Sequence, residues 1–130
     1  MTNNATVDTG DLPITAAVVE RVAEGVDPDA SAIVDALVVL DAALLGWHSD
    51  FERTADGYVT VDGTRAYRIG RDAWRDLLAE FEFDDSLAGA VRLVHTEQAR
   101  HLFTTTVGAD DRFATDEVGV VVGVDTAEQF

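Results

Sequence analysis

The chain contains no lysine and no cysteine. Its 130 residues include two prolines, one methionine and nine arginines, and the arginines stand against 25 aspartates and glutamates for a formal net charge of −16. Without cysteine there are no disulfides, no thiolate nucleophile, and no cysteine-ligated zinc or iron–sulfur centre. Without lysine the chain cannot supply the Lys-Ser/Thr end of a glycine-rich phosphate loop. No Gly-x-Ser-x-Gly elbow or His-Glu-x-x-His pair occurs, and Gly119-Val-Val-Val-Gly123 lacks the spacing of a dinucleotide-binding turn. No apolar run reaches the length of a membrane span, and Asp41 interrupts the longest. The polar, acidic start lacks the basic first segment and apolar middle of a secretory signal. These absences leave no cofactor and no metal to expect, and a cytoplasmic protein without a membrane partner.

What is present is a folding chain. Hydrophobic residues make up 47%, well above what a disordered, highly charged sequence carries. The expectation is an α+β domain with about four helices, its strands forming two antiparallel hairpins or one small sheet. Residues 1–11 read as a flexible acidic leader, 12–125 as a single globular domain and 126–130 as a tail.

Pro13 marks a first short helix carrying Ile14, Ala17, Val18 and Val22, with Gly25 as its stop. Asp27 and Pro28 read as the cap and first turn of a second helix. There Ala30, Ile33, Leu37, Leu40 and Leu44 recur at three- and four-residue steps, and Val34, Val38 and Leu45 widen the arc. A helix apolar this far round belongs at the centre of a domain or in a dimer interface.

Asp62-Gly63 between Tyr58–Val61 and Arg65–Ile69 predicts a hairpin, with Tyr58 and Tyr67 as cross-strand neighbours. Trp74, Leu77, Leu78 and Phe81 predict a helix from Arg71 to Phe81. Asp84-Asp85-Ser86 caps another from Leu87 to Arg100. The β-branched run Leu102–Val107 reads as a strand, and so does Val118–Val124, the latter apolar enough to be buried on both faces.

Two constellations are candidate sites. Arg65, Arg68, Arg71 and Arg75 place four of the nine arginines within eleven residues, where the planar guanidinium fork suits phosphate or carboxylate. They either bind an anionic ligand or bridge neighbouring carboxylates such as Asp72 and Asp76. Asp41, His48 and His101 are the candidate acid–base set. Asp41 and His48 lie two turns apart on the second helix, too far to touch without a bridging group. His101 falls near the apolar stripe of its own helix, as a core histidine would. His95 and His101 are six apart, the wrong spacing for a helical metal pair.

The lysine-free, aspartate-rich composition resembles that of small haloarchaeal proteins of an uncharacterised family. That resemblance implies life in molar salt, where self-repulsion is screened within a few ångströms. It implies no site residue. The first functional expectation is a non-catalytic interaction or regulatory module that self-associates as a homodimer. The second is binding of nucleic acid or a phosphorylated ligand through the arginine cluster. The third is a small enzyme with an Asp/His acid–base site.

Overall fold

The computed structural model describes residues 9, 12–54, 57–61, 63–105 and 117–123, with the side chains of 45, 48–50, 52, 54 and 123 excepted. Four helices and three strands follow in the order α1 (Ala16–Ala23), α2 (Ala30–Thr54), β1 (Gly57–Val61), β2 (Thr64–Gly70), α3 (Arg71–Leu78), α4 (Asp85–Thr105) and β3 (Glu117–Gly123). The strands make one antiparallel sheet in the order β1-β2-β3. The fold is therefore α+β. Apart from Thr9, the residues expected to form the leader and the tail lie outside the described residues.

Each helix begins where a side chain or backbone geometry lets it. The N-cap of α2 is Asp29, two residues after the expected Asp27: its Oδ1 accepts the Ala32 N–H at 2.9 Å, and the helix runs on from Ala30. Asp84 does the same for α4, accepting the Leu87 N–H at 2.8 Å. α2 buries Ile33, Ala36, Leu37, Leu40, Leu44 and Phe51 along one side and leaves Val38 and Val39 about half exposed on the other.

The hairpin forms as its turn chemistry dictates. Val61 pairs with Thr64 across two loop residues, and Gly63 supplies the positive φ of 79° that such a turn requires. Tyr58 lies opposite Tyr67 with ring centroids 5.8 Å apart. β2 is central, and successive residues point to opposite faces. Tyr67 meets Phe51 of α2 at 5.5 Å, and Arg68 lies 5.4 Å from the Phe103 ring of α4. With both faces covered, Val120, Val121 and Val122 of β3 are all fully buried, as their apolar run predicts.

Within the expected strand at Leu102–Val107 the described residues are helix instead: α4 continues through Thr105. Phe103 explains this. Val91, His95, Ala99 and Phe103 repeat at four-residue steps and are all buried, so packing of one continuous stripe outweighs the β preference of the threonines. Thr106 and Val107 lie outside the described residues. β3 therefore pairs with β2, Ala66 opposite Val121 and Tyr67 opposite Val120.

α4 also closes the open edge of β3. The Gly119 N–H donates to Thr96 Oγ1 at 3.2 Å, and the Val121 N–H donates to His95 Nδ1 at 3.1 Å. Two edge amides that could template another chain are thereby satisfied within the fold. Farther along α4, Gln98 Oε1 accepts the Thr15 N–H at 3.0 Å and the Thr15 hydroxyl at 3.3 Å, tying α4 to the start of α1.

Candidate anion-binding site

The four arginines of the predicted cluster do not converge. Arg65 and Arg68 lie on opposite faces of β2. Arg65 Nε donates to Thr60 Oγ1 at 2.9 Å, and its guanidinium sits 4.8 Å from the centroid of Tyr58. Arg68 is mostly buried against Phe103, with Nε 3.8 Å from a Glu117 carboxylate oxygen. A methyl group at Gly57 would come within 3.2 Å of its guanidinium, so glycine there leaves Arg68 its place.

Arg71 and Arg75 belong to a different place. α3 starts directly from β2 through extended Gly70, so Arg71 is its first residue and Arg75 stands one turn on. Together with Trp74 and Leu78 they form the face of α3 that borders a cleft of about 480 Å³. The opposite wall is α4, through Asp85, Ala88, Gly89 and Arg92. The cleft exists because α4 is narrow there. A Cβ built on Gly89 would meet nothing within 4 Å. Phe81 and Phe83, stacked with centroids 5.2 Å apart and planes 6° from parallel, close the end near the α3–α4 connection.

The cleft is cationic in a chain that is otherwise acidic. Arg75 is paired with Asp72 at 3.2 Å, both well exposed. Among the described residues, neither Arg71 nor Arg92 has a carboxylate within 4.0 Å. The Arg92 guanidinium is held below the usual arginine range, first by burial and then by the positive charge of Arg71. Trp74 forms the inner wall, 1% exposed, and its indole N–H is buried with no hydrogen-bond acceptor among the described residues. A second, smaller cleft of about 250 Å³ between α1 and α4 contrasts with this one, since there Arg21 is offset by Glu97 at 3.7 Å.

The predicted acid–base set does not gather around either cleft. Asp41 is half-buried on α2, and burial pushes its carboxyl above the usual carboxylate range. The side chain of His48 lies outside the described residues. His101 is exposed, which corrects its expected place in the core. The core histidine is His95, 1% exposed, with its ring 5.3 Å from that of Trp74. Since Nδ1 accepts the Val121 N–H, Nε2 carries the proton, and it is buried without an acceptor among the described residues. Burial lowers its pKa to about 3.

Sequence reasoning missed Arg92, which is seventeen positions from Arg75. Its signal was Ala88 and Gly89, small residues four and three positions earlier on the same helix face. They mark a gap in the wall rather than a packed stripe.

Among the described residues, no three His, Asp or Glu side chains are grouped to hold a metal ion, and no helix is long and apolar enough to cross a membrane. No curated protein and no solved structure matches the chain. The family model described as "Domain of unknown function (DUF8048)" matches residues 12–124, a span that runs from just before α1 to just past β3 and takes in both walls of the cleft. The chain belongs to the DUF8048 family.

Proposed function

We propose that this protein is a non-catalytic binding module that holds a small ligand by its anionic group in the cleft between α3 and α4. One observation carries the reading. Arg71 and Arg92 border one cleft without a carboxylate partner among the described residues, in a chain with 25 acidic residues. Pairing with a carboxylate is the ordinary fate of an arginine on such a surface, and Arg21, Arg68 and Arg75 follow it. Two guanidiniums that repel each other across a cavity are stabilised by an anion between them. The lining residues offer cations, aromatic faces and one carboxylate, Asp85, which suits binding and orientation rather than acid–base chemistry. Arg65 and Arg68 lie away from the cleft and do not extend it into a basic strip, which favours a compact ligand over a nucleic-acid strand.

The test is calorimetric titration of inorganic phosphate and of benzoate into the wild-type chain and into R71Q, R92Q and R65Q. Each of the first two variants is expected to weaken binding roughly tenfold or more, the usual cost of one charge-assisted hydrogen bond. R65Q is expected to bind as the wild type does. R92Q should melt no lower than the wild type, since it relieves repulsion. Equal binding by R92Q and the wild type would overturn the proposal.

The lysine-free, acidic composition supports a salt-rich archaeal cytoplasm as the setting. Val38 and Val39, more than half exposed on α2, support self-association through that helix. Sedimentation velocity should show dimers that V38E converts to monomers, and a wild-type monomer at high concentration would remove the idea.

A further inference from the structure

The cleft has two unlike ends, and this gives its ligand a shape. Arg71 and Leu78 stand seven positions apart on α3, about 10 Å along its axis at about 1.5 Å per residue. On α4 the chain runs back the other way: Asp85 lies near the end of α3 and Arg92 seven positions on, close enough to Arg71 to feel its charge. Arg71 and Arg92 therefore sit at one end. Asp85 and the parallel rings of Phe81 and Phe83 sit at the other, about 10 Å away. Trp74 and Arg75 line the wall between them.

The volume leaves room for more than a bare ion. A cleft of about 480 Å³ is many times the ~30 Å³ share of one water molecule and falls in the range of cavities that hold small organic ligands. The charge at the cationic end is also specific. Arg75 is offset by Asp72, leaving Arg71 and Arg92 as two positive charges without a carboxylate partner among the described residues, a match for the dianion of a phosphate monoester near neutral pH. A carboxylate would neutralise only one of them. At the far end an aromatic face favours a flat ring, and Asp85 offers an acceptor for a hydroxyl or amino group on the ligand.

Resting on the proposal that the cleft binds an anionic group, we infer that its ligand is a phosphate monoester carrying a planar ring. The phosphate sits between Arg71 and Arg92, and the ring packs toward Phe81 and Phe83. A nucleoside monophosphate and a simple aryl phosphate share this chemistry.

The experiment compares four probes by calorimetry at one fixed potassium chloride concentration: inorganic phosphate, phenyl phosphate, adenosine monophosphate and adenosine. They are titrated into the wild type, R92Q and Gly89→Leu. The last variant fills the cleft from a position with open space around its Cβ, adds no charge, and removes a helix glycine, so its fold is expected to hold. At least one ring-bearing phosphate is expected to bind roughly tenfold or more tighter than inorganic phosphate, the gain typical of one ring stacked on an aromatic face. Adenosine should bind far more weakly, and both variants should lose the ring-bearing probe.

Tight binding of adenosine monophosphate but not phenyl phosphate would assign the nucleotide. Comparable binding of both would assign aryl phosphates at large. Inorganic phosphate binding as tightly as the ring-bearing probes, still dependent on Arg92, would overturn this inference while leaving the anion site standing. Binding that survives both R92Q and Gly89→Leu, or no binding of any phosphate, would also overturn it. Dependence on Arg92 in the benzoate titration would then decide the fate of the anion site separately.

Discussion

Acid should destabilise this protein through one histidine, against the trend of its carboxylates. His95 is fully buried, its Nδ1 accepts the Val121 N–H at 3.1 Å, and its ring faces Trp74 at 5.3 Å. Protonation would remove the acceptor of an edge-strand amide and place a charge in the core. Burial accordingly lowers its pKa from 6.5 to about 3. The sign follows from proton counting. Between these two values the unfolded chain binds a proton that the folded chain excludes. The stabilising contribution is complete above the unfolded value and is lost as pH falls toward the folded one. Within that window the folding constant drops roughly tenfold per pH unit on account of His95 alone, about 2 kcal/mol between about pH 7 and about pH 5. The 25 acidic residues act in the opposite sense, because their mutual repulsion eases as they protonate. The effect must therefore be read as a difference between two proteins. In His95→Asn the amide Oδ1 replaces Nδ1 as acceptor without titrating. That variant should be less stable at neutral pH by about 1–2 kcal/mol through lost packing. Urea melts followed by far-UV circular dichroism, at fixed high salt across this pH range, give both stability curves. The gap between the proteins should shrink as pH falls. Parallel curves would refute the reasoning, because they would mean His95 takes up its proton equally in the folded and unfolded chains.

Two further perturbations test the scaffold. Asp84→Ala removes the acceptor of the Leu87 N–H and should cost about 1 kcal/mol in urea melts, while Asp84→Asn or Asp84→Ser should recover most of it. The melting temperature should rise with potassium chloride and the cooperative transition should fade well below ~1 M, where a net charge of −16 is no longer screened at ~3 Å. A melting temperature indifferent to salt would contradict the proposed halophilic setting.

The elements that could be read from sequence are those where one local cause dominates. Asp62-Gly63 specifies its hairpin because the positive φ at Gly63 suits few other residues. The stripe from Ile33 to Leu44 specifies α2 because its period has no strand equivalent. The start of α2 was less legible. Asp27-Pro28-Asp29 offers two caps around one proline, and the chain uses the second. The end of α4 could not be read from propensity, since Leu102–Thr105 is held helical by Phe103 packing under the sheet. His101 was placed near the apolar stripe of its helix, but it faces out, and the histidine on the buried stripe with Val91, Ala99 and Phe103 is His95. The site was half legible. Arg71 and Arg75 stand out in the sequence, but which arginines meet depends on β2 splaying Arg65 and Arg68 to opposite faces and on the α3–α4 turn bringing Arg92 back beside Arg71.

The composition sharpens the meaning of that meeting. In a chain this acidic, a carboxylate is the cheapest neighbour an arginine can have, and one substitution on α3 or α4 would supply it. Leaving Arg71 and the partly buried Arg92 without a carboxylate partner among the described residues keeps like charges near each other, which folding alone does not favour. A local arrangement that works against stability while the rest of the fold is consistent is the ordinary mark of a site kept for binding. Guanidinium also suits that task in strong salt. Chloride competes with any anion for a point charge, but a planar fork gives two directed hydrogen bonds to a phosphate, which a spherical ion cannot match. A site for an anionic ligand in concentrated salt therefore needs geometry as well as charge. The cleft offers geometry in the paired arginines at one end and the aromatic pair at the other.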